Sequence, residues 1–174
     1  GRSRLLVDLG WPGMFTTLAA NLARMDIPRQ EITHGLATHY HMDHAGAAQD
    51  LKDHGMRLIV TPEQVAFIAP MKEFMKGTDS YTEISPHDNV VVACADSRAF
   101  LKTLGFDGEI VHTPGHSDDS VSLVLDTGAC FTGDLTHPML ATEESAEIVA
   151  RSWQRLRALG ATTVHAGHGP ARAL

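Results

Sequence analysis

Apolar and polar positions follow two periods along this chain, and the switches between them mark its elements. Leu5-Leu6-Val7-Asp8-Leu9-Gly10 is an apolar run ended by glycine and predicts a short buried strand. Leu18, Leu22 and Met25 recur at helical spacing, so residues 16–25 predict a helix. Residues 35–37 predict a strand running into the polar stretch from Thr38 to His44, and 45–54 a helix stopped at Gly55. Residues 57–60 read as a strand. Thr61-Pro62-Glu63 then places a capping residue ahead of a proline at the first helical position. That helix carries Val65, Phe67, Ile68, Met71, Phe74 and Met75, with a kink expected at Pro70.

Strands dominate afterwards, at 81–84, 90–93, 109–112, 120–125, 129–132 and 162–166. Helices are expected at 96–104 and 143–159, the latter with Val149, Trp153, Leu156 and Leu159 near one face. No repeat, low-complexity tract or long linker interrupts the alternation. It predicts one α/β domain over residues 1–174.

Composition narrows the class. At 174 residues, 43% hydrophobic and 20% charged, the chain can bury a core and is neither disordered nor fibrous. No apolar run reaches 18 residues, so no spanning helix and no membrane partner are expected. The net charge of −7 argues against a nucleic-acid partner. Cys94 and Cys130 form no C-x-x-C pair and no disulfide framework; they read as small apolar residues of a cytoplasmic protein.

Histidine changes the picture, with 11 in the chain. His39-Tyr40-His41-Met42-Asp43-His44 packs three imidazoles and one carboxylate into six residues. On an extended segment alternate residues project to one side, so His39 and His41 can share a metal. Asp43 and His44 turn over into the following helix and can reach a second. Imidazole and carboxylate are ligands that zinc, iron and manganese accept. Three further loops follow strands and combine glycine with ligand-type side chains: His112-Thr113-Pro114-Gly115-His116, Phe131-Thr132-Gly133-Asp134 and His165-Ala166-Gly167-His168-Gly169. No G-x-S-x-G elbow, H-E-x-x-H helix, G-x-G-x-x-G string or P-loop is present, so a side-chain nucleophile or nucleotide cofactor has no support.

From Leu5-Leu6-Val7-Asp8-Leu9-Gly10 to Gly167-His168-Gly169, these motifs in this order resemble the metallo-β-lactamase superfamily. The resemblance implies an α/β fold, an αββα sandwich of the metallo-β-lactamase type, here without the first strands that members place ahead of the Val7-Asp8 strand. It implies that His39, His41 and His116 hold one divalent ion. Asp43, His44 and His168 hold a second, and Asp134 bridges the two with a water or hydroxide. Zinc is expected above iron or manganese. Asp8 stands behind the ligands, and His112 and His165 are expected to support them. Two divalent ions about 3.5–4 Å apart lower the pKa of a shared water and polarise a carbonyl oxygen. Asp43 and Asp134 are therefore the expected catalytic carboxylates.

An Asp at 134, where true β-lactamases carry Cys or Ser, resembles the glyoxalase II and lactonase side of the superfamily. His41, where the flavin-linked di-iron branch has Glu, favours hydrolysis. The expected activity is cleavage of an ester, lactone or thioester of a small molecule. Tyr40, His137, Phe67 and Met71 are expected to contact it. Two alternatives stand beside it: a mononuclear iron persulfide dioxygenase using His39, His41 and His116, and a non-catalytic metal-binding module. An uncovered first strand would favour a homo-oligomer.

Overall fold

The computed structural model describes residues 3–76 and 80–174. The chain divides into two compact units, Gly1–Val91 and Val92–Leu174, each with its own sheet and apolar core.

The first unit carries an all-parallel sheet of order β1-β2-β3-β4: β1 (Arg4–Val7), β2 (Ile32–Leu36), β3 (Arg57–Val60) and the two-residue β4 (Val90–Val91). Parallel neighbours need long crossovers, and helices fill them. Between β1 and β2 runs α1 (Phe15–Arg24), whose Phe15, Leu18 and Leu22 face the core. It ends as Asp26 enters the left-handed region at φ 53° and the Ile27 N–H reaches back to the Leu22 carbonyl. β2 starts three residues ahead of the predicted strand, because Arg4 and Leu5 of β1 pair with Ile32 and His34. Gly35 leaves room there for the end of the Met56 side chain, which a Cβ would displace, and a Cβ would lie 3.0 Å from Leu9 Cδ2.

The single helix expected over 45–54 is two, α2 (Met42–Ala45) and α3 (Ala48–Asp53). The reason is local. The His44 carbonyl accepts from Leu9 N–H at 2.6 Å and Ala47 N–H donates to the Gly10 carbonyl at 3.2 Å, so the loop after β1 takes groups that a continuous helix would use. After Thr61 the helical pattern likewise divides at its proline, into α4 (Val65–Ile68) and a 3-10 stretch, Ala69–Phe74. The strand expected at 81–84 is absent. That segment is irregular and tied down by side chains, Thr82 Oγ1 to Asp50 at 3.0 Å and Gln49 Oε1 to Ser85 N–H at 2.8 Å.

The second unit has a mixed sheet of order β5-β6-β7-β8-β9: β5 (Gly108–His112), β6 (Val121–Leu125), β7 (Ala129–Gly133), β8 (Thr163–Ala166) and β9 (Arg172–Ala173). Only β7 and β8 are parallel. The helix between them, Ala146–Ala158, makes their crossover. A shorter helix, α5 (Ser97–Thr103), precedes β5 and is joined to it by Ser97 Oγ, which accepts from Ile110 N–H at 2.8 Å. The crossover helix is therefore α6, and its Val149, Trp153 and Leu156 are buried with Val111, Val124, Cys130 and Val164 of the sheet. No helix among the described residues is long and apolar enough to cross a membrane.

Candidate metal centre

In the first unit the ligand loop follows β2 and is anchored by Asp8, at the end of β1. Asp8 sits at φ 59°, a left-handed conformation that Asp tolerates better than bulky residues. This turns its carboxylate back under the loop after β2. Oδ1 accepts from the N–H and the hydroxyl of Thr38, both at 2.8 Å, and Oδ2 lies 2.9 Å from His44 Nδ1. The other ring nitrogen, His44 Nε2, lies 3.4 Å from Asp43 Oδ2, so the imidazole stands between two carboxylates. His39 Nε2 and His41 Nδ1 lie 3.0 Å apart. Nitrogens at 2.0–2.1 Å from one tetrahedral ion are about 3.3 Å apart, so this pair fits a shared ion with little movement. His39 and His44 also lie ring to ring, with centroids 4.2 Å apart.

Gln64, which the motifs did not point to, braces the same loop. It is fully buried, its Oε1 accepts from Thr61 N–H at 3.1 Å, and its Nε2 donates to the Ala37 carbonyl at 2.8 Å. Thr61-Pro62-Glu63-Gln64 has the spacing of a capping box, in which the third residue's amide returns to the cap. That signal is present in the sequence; the second bond, to Ala37, needs the fold.

In the second unit three loops meet. The His116 loop leaves β5, the Asp134 loop leaves β7 and the His168 loop leaves β8. The Asp134 loop is strapped on both sides: Thr136 Oγ1 donates to the Gly115 carbonyl at 2.7 Å, and Trp153 Nε1 donates to the Thr136 carbonyl at 2.8 Å. Ser152 Oγ holds the Pro114 carbonyl at 2.7 Å, and Gly167 N–H holds the Gly133 carbonyl at 2.8 Å. Gly115 lies at φ 142°, and a Cβ there would come within 2.8 Å of Val149 Cγ2. The result is that one carboxylate oxygen, Asp134 Oδ2, has His168 Nε2 at 3.5 Å and His116 Nε2 at 3.9 Å.

Other expected site residues are placed differently. His112 Nε2 is bound to the Asp118 carbonyl at 2.7 Å, and His165 stacks on Phe131 with centroids 4.8 Å apart. His112 is thus engaged by the backbone of the loop between β5 and β6, and His165 by its neighbour on β7. Tyr40 and Met71 are buried in the core of the first unit and present no surface to a substrate. Phe67 is partly exposed on α4. His137 caps a short 3-10 turn, Pro138–Leu140, with Nδ1 accepting from Met139 N–H at 3.3 Å.

The donors in both units are imidazoles and carboxylates, a set suited to borderline divalent ions. A family model described as the metallo-beta-lactamase superfamily matches residues 1–168. A lactamase-like protein of Pestalotiopsis microspora is 30% identical over 97% of this chain and 47% of that protein. An atrochrysone carboxyl ACP thioesterase of Aspergillus fumigatus is 30% identical over 88% of this chain and 31% of that protein. The chain thus spans about half the length, or less, of these curated relatives. Among solved structures, a metallo-beta-lactamase family protein of Thermus thermophilus superposes with a TM-score of 0.70 at 21% identity, covering 98% of this chain and 66% of that one. That likeness bears out the expected α/β fold of the metallo-β-lactamase type.

Proposed function

This chain belongs to the metallo-β-lactamase superfamily, and from that premise we propose that it hydrolyses a thioester, ester or lactone of a small molecule at a dinuclear zinc centre. Its thioesterase- and lactamase-like relatives support a hydrolase, and the family's fold implies divalent metal ions. In this reading the two units act as one domain. His39, His41 and His116 hold one ion, Asp43, His44 and His168 the other, and Asp134 serves both. The observation that carries it is the Asp134 carboxylate with two imidazoles aimed at one of its oxygens. A carboxylate is the side chain that can serve two cations at once.

Bound divalent ions supply a water acidic enough to ionise near neutral pH and a Lewis acid for the carbonyl oxygen. The chain's own residues do the rest. Asp43 orients the attacking water, accepts its proton and returns it to the departing sulfur or oxygen. Asp8 keeps the His44 proton on Nδ1, so that Nε2 is the ligating nitrogen. Thr38 fixes Asp8 through two bonds, and Gln64 fixes the backbone between β2 and His39.

A hydrolysis panel on protein of defined metal content tests this, with a thioester, a lactone, an aryl ester and a chromogenic β-lactam. Thioester or ester turnover that disappears on chelation and returns with zinc is expected, at two metals per chain. Dominant β-lactam cleavage overturns the use made of Asp134. One iron per chain with oxygen consumption on a persulfide overturns hydrolysis altogether.

A further inference from the structure

Side chains of α6 tie two ligand loops of the second unit into one closed circuit. Four α6 residues, Val149, Ser152, Trp153 and Leu156, are buried. The two that carry donors both give them to carbonyls of loops that bear proposed ligands. Ser152 Oγ donates to Pro114 at 2.7 Å, and Trp153 Nε1 donates to Thr136 at 2.8 Å. Thr136 Oγ1 in turn donates to Gly115 at 2.7 Å. Ser152 and Trp153 are adjacent in the chain, as are Pro114 and Gly115, so these three hydrogen bonds close the circuit. His116 follows Gly115 directly, and Asp134 lies two residues before Thr136.

Satisfying buried polar groups explains single bonds of this kind. It does not explain why both buried α6 donors go to ligand loops, or why those loops are also joined to each other. A helix serine has a nearer acceptor in the carbonyl four residues back, and Ser152 passes it over for one 38 residues away. Gly115 permits the approach: it lies at φ 142°, and a Cβ there would stand 2.8 Å from Val149 Cγ2, so this turn of the loop rests directly on α6. Bonds in one circuit support each other, because breaking any of them releases the constraint on the rest. The His168 loop lies outside the circuit and joins it through the Gly167 N–H on the Gly133 carbonyl.

We propose that Thr136, Ser152 and Trp153 are positioning residues, which hold the His116 and Asp134 loops as one rigid body so that the two open or close together. The inference rests on the proposed metal centre for its use, and on the circuit alone for its existence. Ligand side chains must stand within about 0.5 Å of the productive geometry, and loops without such support hold them poorly. Thr136 is the hub, because its carbonyl accepts from α6 while its hydroxyl donates to the other loop. The consequence is reach: a change at Ser152, whose bond goes to the His116 loop, is felt at the Asp134 loop.

The test uses the full chain as wild type, S152A, T136V, T136S and the S152A/T136V double variant. Hydrogen–deuterium exchange of metal-free protein is followed in residues 113–119 and 133–139, with β6 at 121–125 as the reference. S152A is expected to speed exchange in 133–139 at least about threefold, although its lost bond is to Pro114, with 121–125 unchanged. T136V should speed exchange in both loops. Adding S152A to it should speed 133–139 no further, because the link between the loops is already cut. T136S keeps the donor and should exchange like wild type. If T136V fails to fold, S152A against wild type still decides. A rise confined to 113–119 in S152A, an equal rise in 121–125, or additive effects in the double variant overturns the circuit. Zinc affinity, read by competition with a chromogenic chelator, is the second measurement. S152A and T136V are each expected to weaken it about tenfold, and the double variant no more than the worse of the two. Unchanged affinity in both single variants overturns the positioning role, and losses that multiply in the double variant overturn the coupling. Wild-type protein that takes up no zinc sinks the proposed function, and the exchange results then decide the circuit by themselves.

Discussion

In the first unit His39 and His44 are 1% and 2% exposed, crowded ring to ring, and braced by Asp8, Thr38 and the buried Gln64. In the second, the His168 side chain is 65% exposed and the His116 side chain 30%, and what is braced is the backbone of their loops. The first arrangement packs His39 and His44 as core residues, while His41 is exposed and Asp43 half-buried. This buried pair is placed by its surroundings, with the Asp8 carboxylate 2.9 Å from His44 Nδ1 and the Thr38 hydroxyl 3.2 Å from His39 Nδ1. The second keeps its ligands on loops at strand ends, where side chains can adjust and a substrate can enter. Changes in the first unit should therefore affect folding and metal binding together, and changes in the second should affect chemistry with little effect on folding.

The largest expected effect is from Asp134→Ala. Loss of more than about a hundredfold in kcat/KM, with a lowered metal content and unchanged circular dichroism, is the predicted result. Unchanged hydrolysis would break the assignment of that carboxylate. Next is Asp8→Asn, which keeps the shape but presents an amide where His44 Nδ1–H needs an acceptor. About 10–100-fold weaker metal binding is expected, read by competition with a chromogenic chelator. The third prediction contrasts the units directly. His39→Ala should lower the unfolding free energy of metal-free protein by about 1–3 kcal/mol, and His168→Ala by less than about 0.5 kcal/mol. Equal losses in urea denaturation would remove the distinction.

Two smaller effects concern groups outside the ligand set. Burial, helped by the Arg57 charge, lowers the pKa of His34 in the folded state below its ordinary value of 6.5. The folded chain then binds fewer protons than the unfolded one below about pH 6.5. His34 thus costs stability as pH falls from that value toward its folded pKa, and His34→Gln should flatten the dependence of the urea midpoint on pH across that window. Burial also pushes the Cys130 thiol up to about 11, so alkylation at mildly alkaline pH should modify half-buried Cys94 and spare Cys130. Mass analysis of the labelled folded protein checks this.

Legibility in the sequence is uneven for definite reasons. β3 has the bounds its sequence predicts, because three consecutive β-favouring apolar residues after Arg57, between a glycine turn and a proline, leave little choice. The 81–84 segment imitates a strand in its alternation. It pairs with no strand, and it is held instead by the Thr82 hydroxyl on Asp50 and by the next residue's backbone, Ser85 N–H, on Gln49. β9 escapes a sequence reading because two residues carry no period, and only its pairing to β8 makes it a strand. Among the site residues, ligand types and their order can be read from spacing. The placement of Tyr40, His112 and His165 cannot, since burial and hydrogen-bond partners depend on which elements lie alongside.

What the sequence determined by itself is the chemistry: imidazoles and carboxylates at strand ends, in an order that names a family and a class of ion. What only the tertiary structure decided is which side chains stand behind them. Asp8 reaches Thr38 across 30 residues of chain, and Gln64 reaches Ala37 across 27. Ser152 reaches Pro114 across 38 residues, and Trp153 reaches Thr136 across 17. A local pattern records the preferences of neighbours along the chain. Bonds between distant residues exist only after the backbone has closed the loops between them, and there the support of this site is found.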